Sequence, residues 1–185
     1  LILSVETEEL GIAAGLQDRV AQVYEAPVFM DFDQMFMKQH GHGMYRTFSS
    51  ELLPSLYIAY RTDLAEGSEV VHNRLRQRFM EGDPQVLGAM QSFAQLTNDC
   101  LKLVENGKGD QIGKLLNQNF DLRASIMRIP AENQRMVDLA RSVGASAKFT
   151  GSGGAIIGTY ENGEMLEALT ERLAQAQIAL IAPQF

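Results

Sequence analysis

The sequence predicts an α+β fold in which a mostly antiparallel sheet carries helices on one face. From about residue 50 onward, the spacing of apolar residues predicts a strand, several helices, two strands, a helix and a final strand. A split β-α-β-β-α-β arrangement with inserted helices fits that order best. The 185 residues are 45% hydrophobic and 21% charged, which is ordinary for a globular chain and suffices for one sizeable core or two small ones.

The part of the chain before residue 50 predicts two helices and two strands. Residues 1–10 have helical spacing that ends at a glycine, and "GLQDRVAQVYE" (residues 15–25) predicts a second helix with its apolar side chains on one face. Apolar residues alternate across 28–32, which predicts a strand. The "QHGHGMY" stretch predicts a turn cluster, and residues 44–49 predict a second strand.

The rest of the chain supplies the elements of the main sheet and its helices. The dipeptide Asp83-Pro84 is typical of a helix start, with an N-cap followed by proline at the first helical position, and Gly107 is typical of its end. The predicted elements are, in order, a strand at 56–61, helices opening at Ser68, Asp83, Asp110 and Pro130, a strand before the glycines that follow Thr150, a strand at 155–160, a helix at 164–176 and a strand at 178–182.

Charge and cysteine content exclude several classes of function. The net charge is −7, so we expect neither a general nucleic-acid partner nor binding to an anionic membrane. Cys100 is the one cysteine, so the chain cannot form an intramolecular disulfide or a cysteine-based zinc site, and we expect a buried helix residue. No apolar run approaches 18 residues, and the simplest compartment is the cytosol.

The stretch "GASAKFTGSGGAIIG", Gly144 to Gly158, is a candidate phosphate-binding loop. Successive glycines leave backbone N–H groups unobstructed, and such groups can form an anion-binding nest. The candidate residues for contact with phosphates are Lys148, Thr150, Gly151, Ser152, Gly153 and Gly154. The alternative is a tight β-turn with Lys148 in solvent, although a hairpin needs fewer glycines than this run contains.

The stretch "AAGLQDRV" is a second candidate for chemistry. Gly15 lets a substrate approach the backbone, and Asp18 is placed to accept a proton from an attacking hydroxyl, with Arg19 beside it to keep it ionised. The alternative is an ordinary acidic residue in the first turn of a helix, where it complements the helix dipole.

Basic and histidine residues give weaker candidates. Arg74 and Arg78 are four apart on one helix face and suit recognition of an acidic substrate group, whereas Arg76 lies on another face; the alternative is a solvated basic surface. Arg123 in "NFDLR" is a further basic candidate on a different helix. "QHGHG" is more typical of a turn with exposed histidines than of a metal site, and no metal ligands are assigned in the chain.

Two of these stretches, in this order, resemble signature regions of the GHMP sugar and isoprenoid kinases. Residues 144–155 are similar, almost residue for residue, to the third glycine-rich motif of that family. The region "LGIAAGLQDRVAQVY…VFMDF" resembles the segment that carries the catalytic aspartate. With "VHNRLRQRFMEGD" and "NFDLR", the resemblance covers most of the chain, and within the family it is strongest to members that act on a sugar acid, D-glucuronate.

This resemblance implies a fold and an activity. Family members transfer the γ-phosphoryl group of ATP, with Mg²⁺, to a hydroxyl of a small molecule, here the anomeric hydroxyl of D-glucuronate. Asp18 would be the base or orienting carboxylate, with Gly15, Arg19, Arg74 and Arg78 near the substrate and the 148–154 loop beside the phosphates. Residues 1–45 would end the N-terminal kinase domain, and residues 46–185 would form the ferredoxin-like C-terminal domain.

The sequence also departs from the family pattern. Glu25 and Ala26 stand where a glycine pair is usual, and the chain contains neither the main Pro-x-x-x-Gly-Leu-x-Ser-Ser phosphate loop nor the N-terminal substrate motif. Because Leu1 begins inside an amphipathic pattern, we expect both motifs upstream, in the missing N-terminal half of the same kinase. This fragment alone would be inactive and bind ATP weakly. The alternatives are a kinase for a neutral sugar of the galactose, arabinose or heptose type, or a non-catalytic module.

Overall fold

A computed structural model describes residues 5–9, 15–64 and 69–184. The chain divides into two compact units, Leu1–Leu52 and Leu53–Phe185, and each is described by itself. The predicted N-cap Ser68 and half of the predicted first helix, residues 1–4 and 10, lie outside the described residues. Within the described ranges, no helix has both the length and the apolar character needed to cross a membrane.

The first unit contains a two-stranded antiparallel sheet and two α-helices. After a single π-helical turn at Val5–Glu9, the chain forms α1 (Leu16–Tyr24), β1 (Val28–Asp31), α2 (Gln34–His40) and β2 (Met44–Thr47). The pairing of β1 with β2 places Val28 opposite Thr47. The predicted boundary between residues 45 and 46 lies inside β2, and the division after Leu52 keeps the two paired strands together.

Helix α2 occupies part of the stretch that the sequence predicted as a turn cluster. The Asp33 side chain caps the helix by accepting a hydrogen bond from the Phe36 amide at 2.8 Å. The helix ends at Gly41, whose φ of 75° is the left-handed conformation typical of a helix C-terminus. His40 is therefore the last helical residue, and the turn begins only after it.

The second unit has the split β-α-β-β-α-β arrangement that the sequence predicted. Its four strands lie in the order β4-β5-β3-β6, and all neighbours are antiparallel. The elements are, in chain order, β3 (Leu56–Tyr60), α3 (Glu69–Met80), α4 (Pro84–Glu105), α5 (Ile112–Ile126), α6 (Ala131–Ser142), β4 (Lys148–Phe149), β5 (Ala155–Thr159), α7 (Gly163–Ala174) and β6 (Ala179–Ile181).

The predicted start and end of the long helix α4 are confirmed. The Asp83 carboxylate accepts hydrogen bonds from the Gln85 and Val86 amides at 2.9 and 3.4 Å, and Pro84 occupies the first helical position. Just beyond the end of the helix, Gly107 has a φ of 68°. Cap chemistry visible in the sequence therefore fixed both ends.

The core lies between one face of the sheet and helices α5, α6 and α7. Strands β3 and β5 bury alternate side chains toward it, as the two-residue period of a strand requires. Its largest fully buried side chains are Tyr57, Phe120, Met136, Ile156, Leu169 and Leu173. Burial of these side chains is the main contribution to the stability of this unit.

The segment that leads into β4 crosses the end of β5 at close range. The Ser146 amide donates a hydrogen bond to the Thr159 carbonyl at 3.1 Å, and the Thr159 amide donates to Ser146 Oγ at 2.8 Å. The buried Tyr57 hydroxyl donates to the Ser146 carbonyl at 2.7 Å, and burial raises the pKa of this phenol above its ordinary value. A Cβ at Gly158 would overlap that same carbonyl, so the crossing requires glycine.

A second polar contact holds this segment from the helical side. Asn117 on α5 accepts hydrogen bonds through Oδ1 from the Ala147 amide at 2.9 Å and from Arg141 Nε at 3.0 Å. Gly113 on the same helix also allows close packing, because an added Cβ would lie 2.5 Å from Thr159 Oγ1. Helix α5 is thereby fixed against both β4 and β5.

We predict that Gly158→Ala destabilises the chain by about 1–3 kcal/mol, because the new methyl group must displace backbone rather than a flexible side chain. Gly88→Ala is the matched control, since Gly88 lies within α4 and an added Cβ there has no neighbour within 4 Å. We expect that control to be stabilised by roughly 0.5–1 kcal/mol. Urea unfolding measures both, and an unchanged midpoint for Gly158→Ala would contradict the prediction.

Candidate functional site

The predicted functional residues fall in three places: the glycine-rich loop and helix α3 of the second unit, and the start of α1 in the first unit. The glycine-rich loop, residues 150–154, connects β4 to β5 in the second unit. Asp18 lies in the first turn of α1 in the first unit.

Two glycines of the loop adopt conformations that other residues rarely adopt. Gly153 has a φ of 152° and Gly154 a φ of 73°. A Cβ at Gly153 would also lie 3.1 Å from Asn133 Oδ1. Gly151 differs, because an added Cβ there would meet no atom within 4 Å and its φ is not positive. Neither backbone conformation nor packing therefore explains why position 151 is glycine.

Hydrogen bonds from three other elements hold the loop in place. The Gly154 amide donates to Asn133 Oδ1 at 2.6 Å, and the Gly154 carbonyl accepts from the Arg61 amide at 2.9 Å. At the opposite side of the loop, Arg123 Nη1 donates to the Gly151 carbonyl at 2.8 Å. Asn133 is only 3% exposed and lies in the first turn of α6, so the loop is anchored to the core.

The anchors leave three consecutive backbone donors unused. Within the described part of the chain, no group accepts a hydrogen bond from the N–H of Gly151, Ser152 or Gly153. Gly151 and Ser152 are exposed, so these donors are open to a ligand. Consecutive free N–H groups in a glycine-rich turn form the type of concavity that binds anions.

Lys148 is less exposed than a lysine in a simple surface turn. It is half-buried on β4, and its Nζ donates to the Phe149 carbonyl at 2.7 Å. Burial lowers its pKa, and the nearby positive charge of Arg123 lowers it further. The loop is thus bordered by two basic side chains that are partly withdrawn from water.

Asp18 is an exposed acidic residue in the first turn of α1. Its side chain is 79% exposed, and Arg19 Nη1 lies 3.3 Å from its Oδ2. Gly15 caps α1 with extended backbone, and an added Cβ there would meet no atom within 4 Å. A negative charge at this end of a helix is stabilised by the helix dipole, and the space above Gly15 leaves room for a ligand.

The arginines of α3 have different surroundings. Arg74 and Arg76 are exposed, and neither guanidinium forms a hydrogen bond or an ion pair with the residues that the structure describes. Arg78 is half-buried: Nε donates to Asp83 Oδ2 at 2.8 Å and Nη1 donates to the Ile126 carbonyl at 2.5 Å. Arg78 therefore ties α3 to the start of α4 and the end of α5, and its hydrogen bond to Asp83 lowers the pKa of that carboxyl.

The remaining candidates show no sign of metal binding. His42 Nδ1 is hydrogen-bonded to the Gly43 carbonyl at 2.8 Å, and His40 packs against the Phe36 ring. Cys100 is half-buried, and burial raises the pKa of its thiol. In the ranges that the structure describes, no group of three or more His, Cys, Asp and Glu side chains is placed to hold a metal ion.

Sequence reasoning missed Asn133 and Arg61, which hold the loop. Asn133 interrupts an apolar stripe that continues through Met136, Val137 and Ala140, and a polar residue in such a stripe signals a buried hydrogen bond. Arg61 contributes a backbone amide to the loop, and its side chain forms an ion pair with Glu132 at 3.0 Å. No sequence signal identifies a backbone donor of that kind.

Comparison with known proteins places this geometry in a family. Residues 100–179 match the family described as GHMP kinases C terminal. This range includes α5, α6 and α7, the strands β4 and β5, and the whole glycine-rich loop.

Two proteins of Arabidopsis thaliana resemble the chain over most of its length. Glucuronokinase 1 is 41% identical over 160 residues, which are 85% of this chain and 44% of that protein. Probable glucuronokinase 2 is 41% identical over 161 residues, which are 85% of this chain and 43% of that protein. The chain therefore spans less than half the length of either relative.

A solved structure has the same fold. The mevalonate kinase of L. major, determined in complex with R-mevalonate, superposes with a TM-score of 0.64 at 19% identity, over 79% of this chain and 48% of that chain. At such low identity the likeness concerns the fold alone. The family match and the 41% identity to both relatives show that this chain belongs to the GHMP kinase family and contains its C-terminal domain.

Proposed function

We propose that this chain is part of an ATP-dependent kinase that phosphorylates the anomeric hydroxyl of D-glucuronate. The observation that carries the proposal is the 41% identity, over 85% of the chain, to a protein named Glucuronokinase 1. Because the chain spans 44% of that relative, the activity is proposed for the complete kinase rather than for this chain alone.

The glycine-rich loop supports a role beside the phosphates of ATP. It offers the free N–H groups of Gly151, Ser152 and Gly153, with Lys148 at its border. Thr150 belongs to the same candidate set, although its Oγ1 already contacts the Ala155 carbonyl at 3.4 Å. Phosphoryl transfer depends on positioning and on neutralising charge, and preorganised donors supply both.

Mg²⁺ is part of the proposal as the partner of ATP. When bound, it neutralises charge on the phosphates. The loop donors fit phosphate oxygens, but the described residues include no carboxylate cluster that fits the ion. We therefore assign no Mg²⁺ ligand to this chain.

Asp18 is the proposed base or orienting carboxylate for the sugar hydroxyl. It is exposed, close to Arg19 and adjacent to the open space above Gly15. A carboxylate in this position can accept a proton or fix the direction of an attacking hydroxyl.

Arg74 is the proposed recognition residue for the sugar carboxylate, and Arg78 is the proposed positioning residue for the helix that carries it. Arg74 is exposed and has no hydrogen-bond or ion-pair partner among the described residues, so its guanidinium group is available for a bidentate contact with a carboxylate. Arg78 is engaged with Asp83 and Ile126, so it acts by holding α3 in position.

We predict that Asp18→Ala in the full-length gene product lowers kcat roughly 10²–10⁴-fold and leaves nucleotide binding intact, because the carboxylate acts on the hydroxyl and not on ATP. Asp138→Ala, an exposed aspartate on α6, is the matched control and should retain full turnover. A coupled ADP-release assay measures turnover, and ATP titration measures binding. Near-normal turnover in Asp18→Ala would remove this residue from the mechanism.

We predict that Arg74→Ala raises KM for glucuronate about tenfold with little change in KM for ATP, since one charged contact to the carboxylate is lost. Arg128→Ala removes an exposed arginine elsewhere and should change neither constant. The same assay with galactose and arabinose tests the substrate class. A wild-type preference for a neutral sugar would favour the alternative kinase and contradict this proposal.

We predict that Gly151→Ala raises KM for ATP on the order of tenfold, because the added methyl group would occupy the space in which the phosphates are proposed to lie. The melting temperature should not fall, since a Cβ there meets no other atom of the protein within 4 Å. Gly153→Ala is the comparison: it should lower the melting temperature as well, owing to its φ of 152° and the contact with Asn133. If Gly151→Ala binds ATP like the wild type, phosphates do not approach the loop at this position.

A non-catalytic module is the alternative from a different class. The reading frame upstream of Leu1 distinguishes it from a kinase. A Gly-Leu-x-Ser-Ser loop in that frame supports the enzyme, whereas an unrelated sequence supports the module.

A further inference from the structure

Arg123 contacts the glycine-rich loop and the neighbouring strand at the same time. Its Nη1 donates to the Gly151 carbonyl at 2.8 Å, and its Cζ lies 5.1 Å from the centre of the Phe149 ring. Phe149 is 3% exposed and packs edge-to-face on Phe120, with ring centres 5.2 Å apart. The guanidinium plane is thereby fixed by the core on one side and by the loop on the other.

The charges of Arg123 and Lys148 have no counter-charge within the protein. In the described part of the chain, no carboxylate forms an ion pair with either side chain. Arg123 Nε is buried and has no hydrogen-bond partner. Burial lowers the pKa of both groups, and each positive charge disfavours the other.

This arrangement is unfavourable in the free protein and becomes favourable when an anion binds. Two partly desolvated cations cost free energy that a negative charge between or beside them offsets. The same loop carries the N–H groups of Gly151, Ser152 and Gly153, which donate to no group among the described residues. Two independent features, unpaired cations and unpaired backbone donors, thus meet at one turn.

We propose that Arg123 positions the glycine-rich loop through the Gly151 carbonyl and, together with Lys148, completes an anion site for the phosphate groups of a polyphosphate ligand. The identification of that ligand with ATP rests on the proposed function. The site itself does not, because inorganic tripolyphosphate carries the same phosphate chemistry without the nucleoside.

The test titrates this chain with sodium tripolyphosphate and follows the backbone amide and Lys148 Nζ resonances by NMR. In the wild type, we expect shifts concentrated at residues 150–154 and a rise in the pKa of Lys148 on binding. Arg123→Gln should weaken binding about tenfold, because a charged contact is lost. Without ligand, Arg123→Gln should also raise the pKa of Lys148, because a nearby positive charge is lost. The rise in the Lys148 pKa on adding tripolyphosphate should be smaller in Arg123→Gln than in the wild type, which a purely structural role for Arg123 does not predict.

Arg123→Lys separates charge from positioning. It keeps a cation near Lys148 but lacks the guanidinium group that donates to the Gly151 carbonyl. We therefore expect most of the tripolyphosphate affinity to remain, whereas amide hydrogen exchange at residues 151–154 should become faster. Arg128→Gln removes the same charge at an exposed position and should behave as the wild type. Should Arg123→Gln unfold, the Arg123→Lys comparison still decides the positioning role.

Two results with the variants, and one with the wild type, would overturn the proposal. One is wild-type affinity for tripolyphosphate in a folded Arg123→Gln variant, and the other is unchanged amide exchange in Arg123→Lys. Absence of any loop shift in the wild type would remove the anion site. Each of these outcomes is independent of the sugar kinase assays, so a failed anion site and a failed kinase assignment are distinguishable.

Discussion

The close crossing of the Ser146 backbone over Gly158 is the constraint on which the second unit depends. Because position 158 has no side chain, the Ser146 carbonyl can sit against β5 and accept a hydrogen bond from the buried Tyr57 hydroxyl. That contact fixes where the chain enters β4, only a few residues before the glycine-rich loop. The position of the loop is therefore set by a steric requirement in the core.

The loop combines a fixed frame with unused donors. Asn133, Arg61 and Arg123 hold its ends through 2.6–2.9 Å hydrogen bonds from or to different elements. The N–H groups between those anchors have no partner among the described residues. A loop ordered during folding loses little further entropy on binding a ligand, which is the physical advantage of a preorganised anion site.

The first unit contains Asp18, the proposed catalytic residue, and the second unit contains the residues that match the family. Asp18 stands in a short unit of two helices and a two-stranded sheet, and its exposure and its contact with Arg19 agree with a reactive carboxylate and with helix-dipole stabilisation alike. The 100–179 match and the sheet order concern the second unit. Family membership thus rests on that match and on the 41% identity to Glucuronokinase 1 over 85% of the chain, and the role of Asp18 remains part of the proposed activity.

Local chemistry in the sequence determined the element types, several helix ends and the position of the glycine-rich loop. Asp83-Pro84, Gly107 and the alternation in β3 and β5 act within a few residues, so they are readable without tertiary structure. The helix α2 was missed although Asp33 and Gly41 cap it, because its glycine- and histidine-rich end favoured a turn.

Only the tertiary structure decided which residues meet. Arg78 turned inward to Asp83 and Ile126, whereas Arg123 reached the loop from a helix 28 residues earlier in the chain. Asn133 reached Gly154 across 21 residues. Such contacts depend on how helices pack on the sheet, and that packing is a property of the whole core that no local pattern of residues encodes.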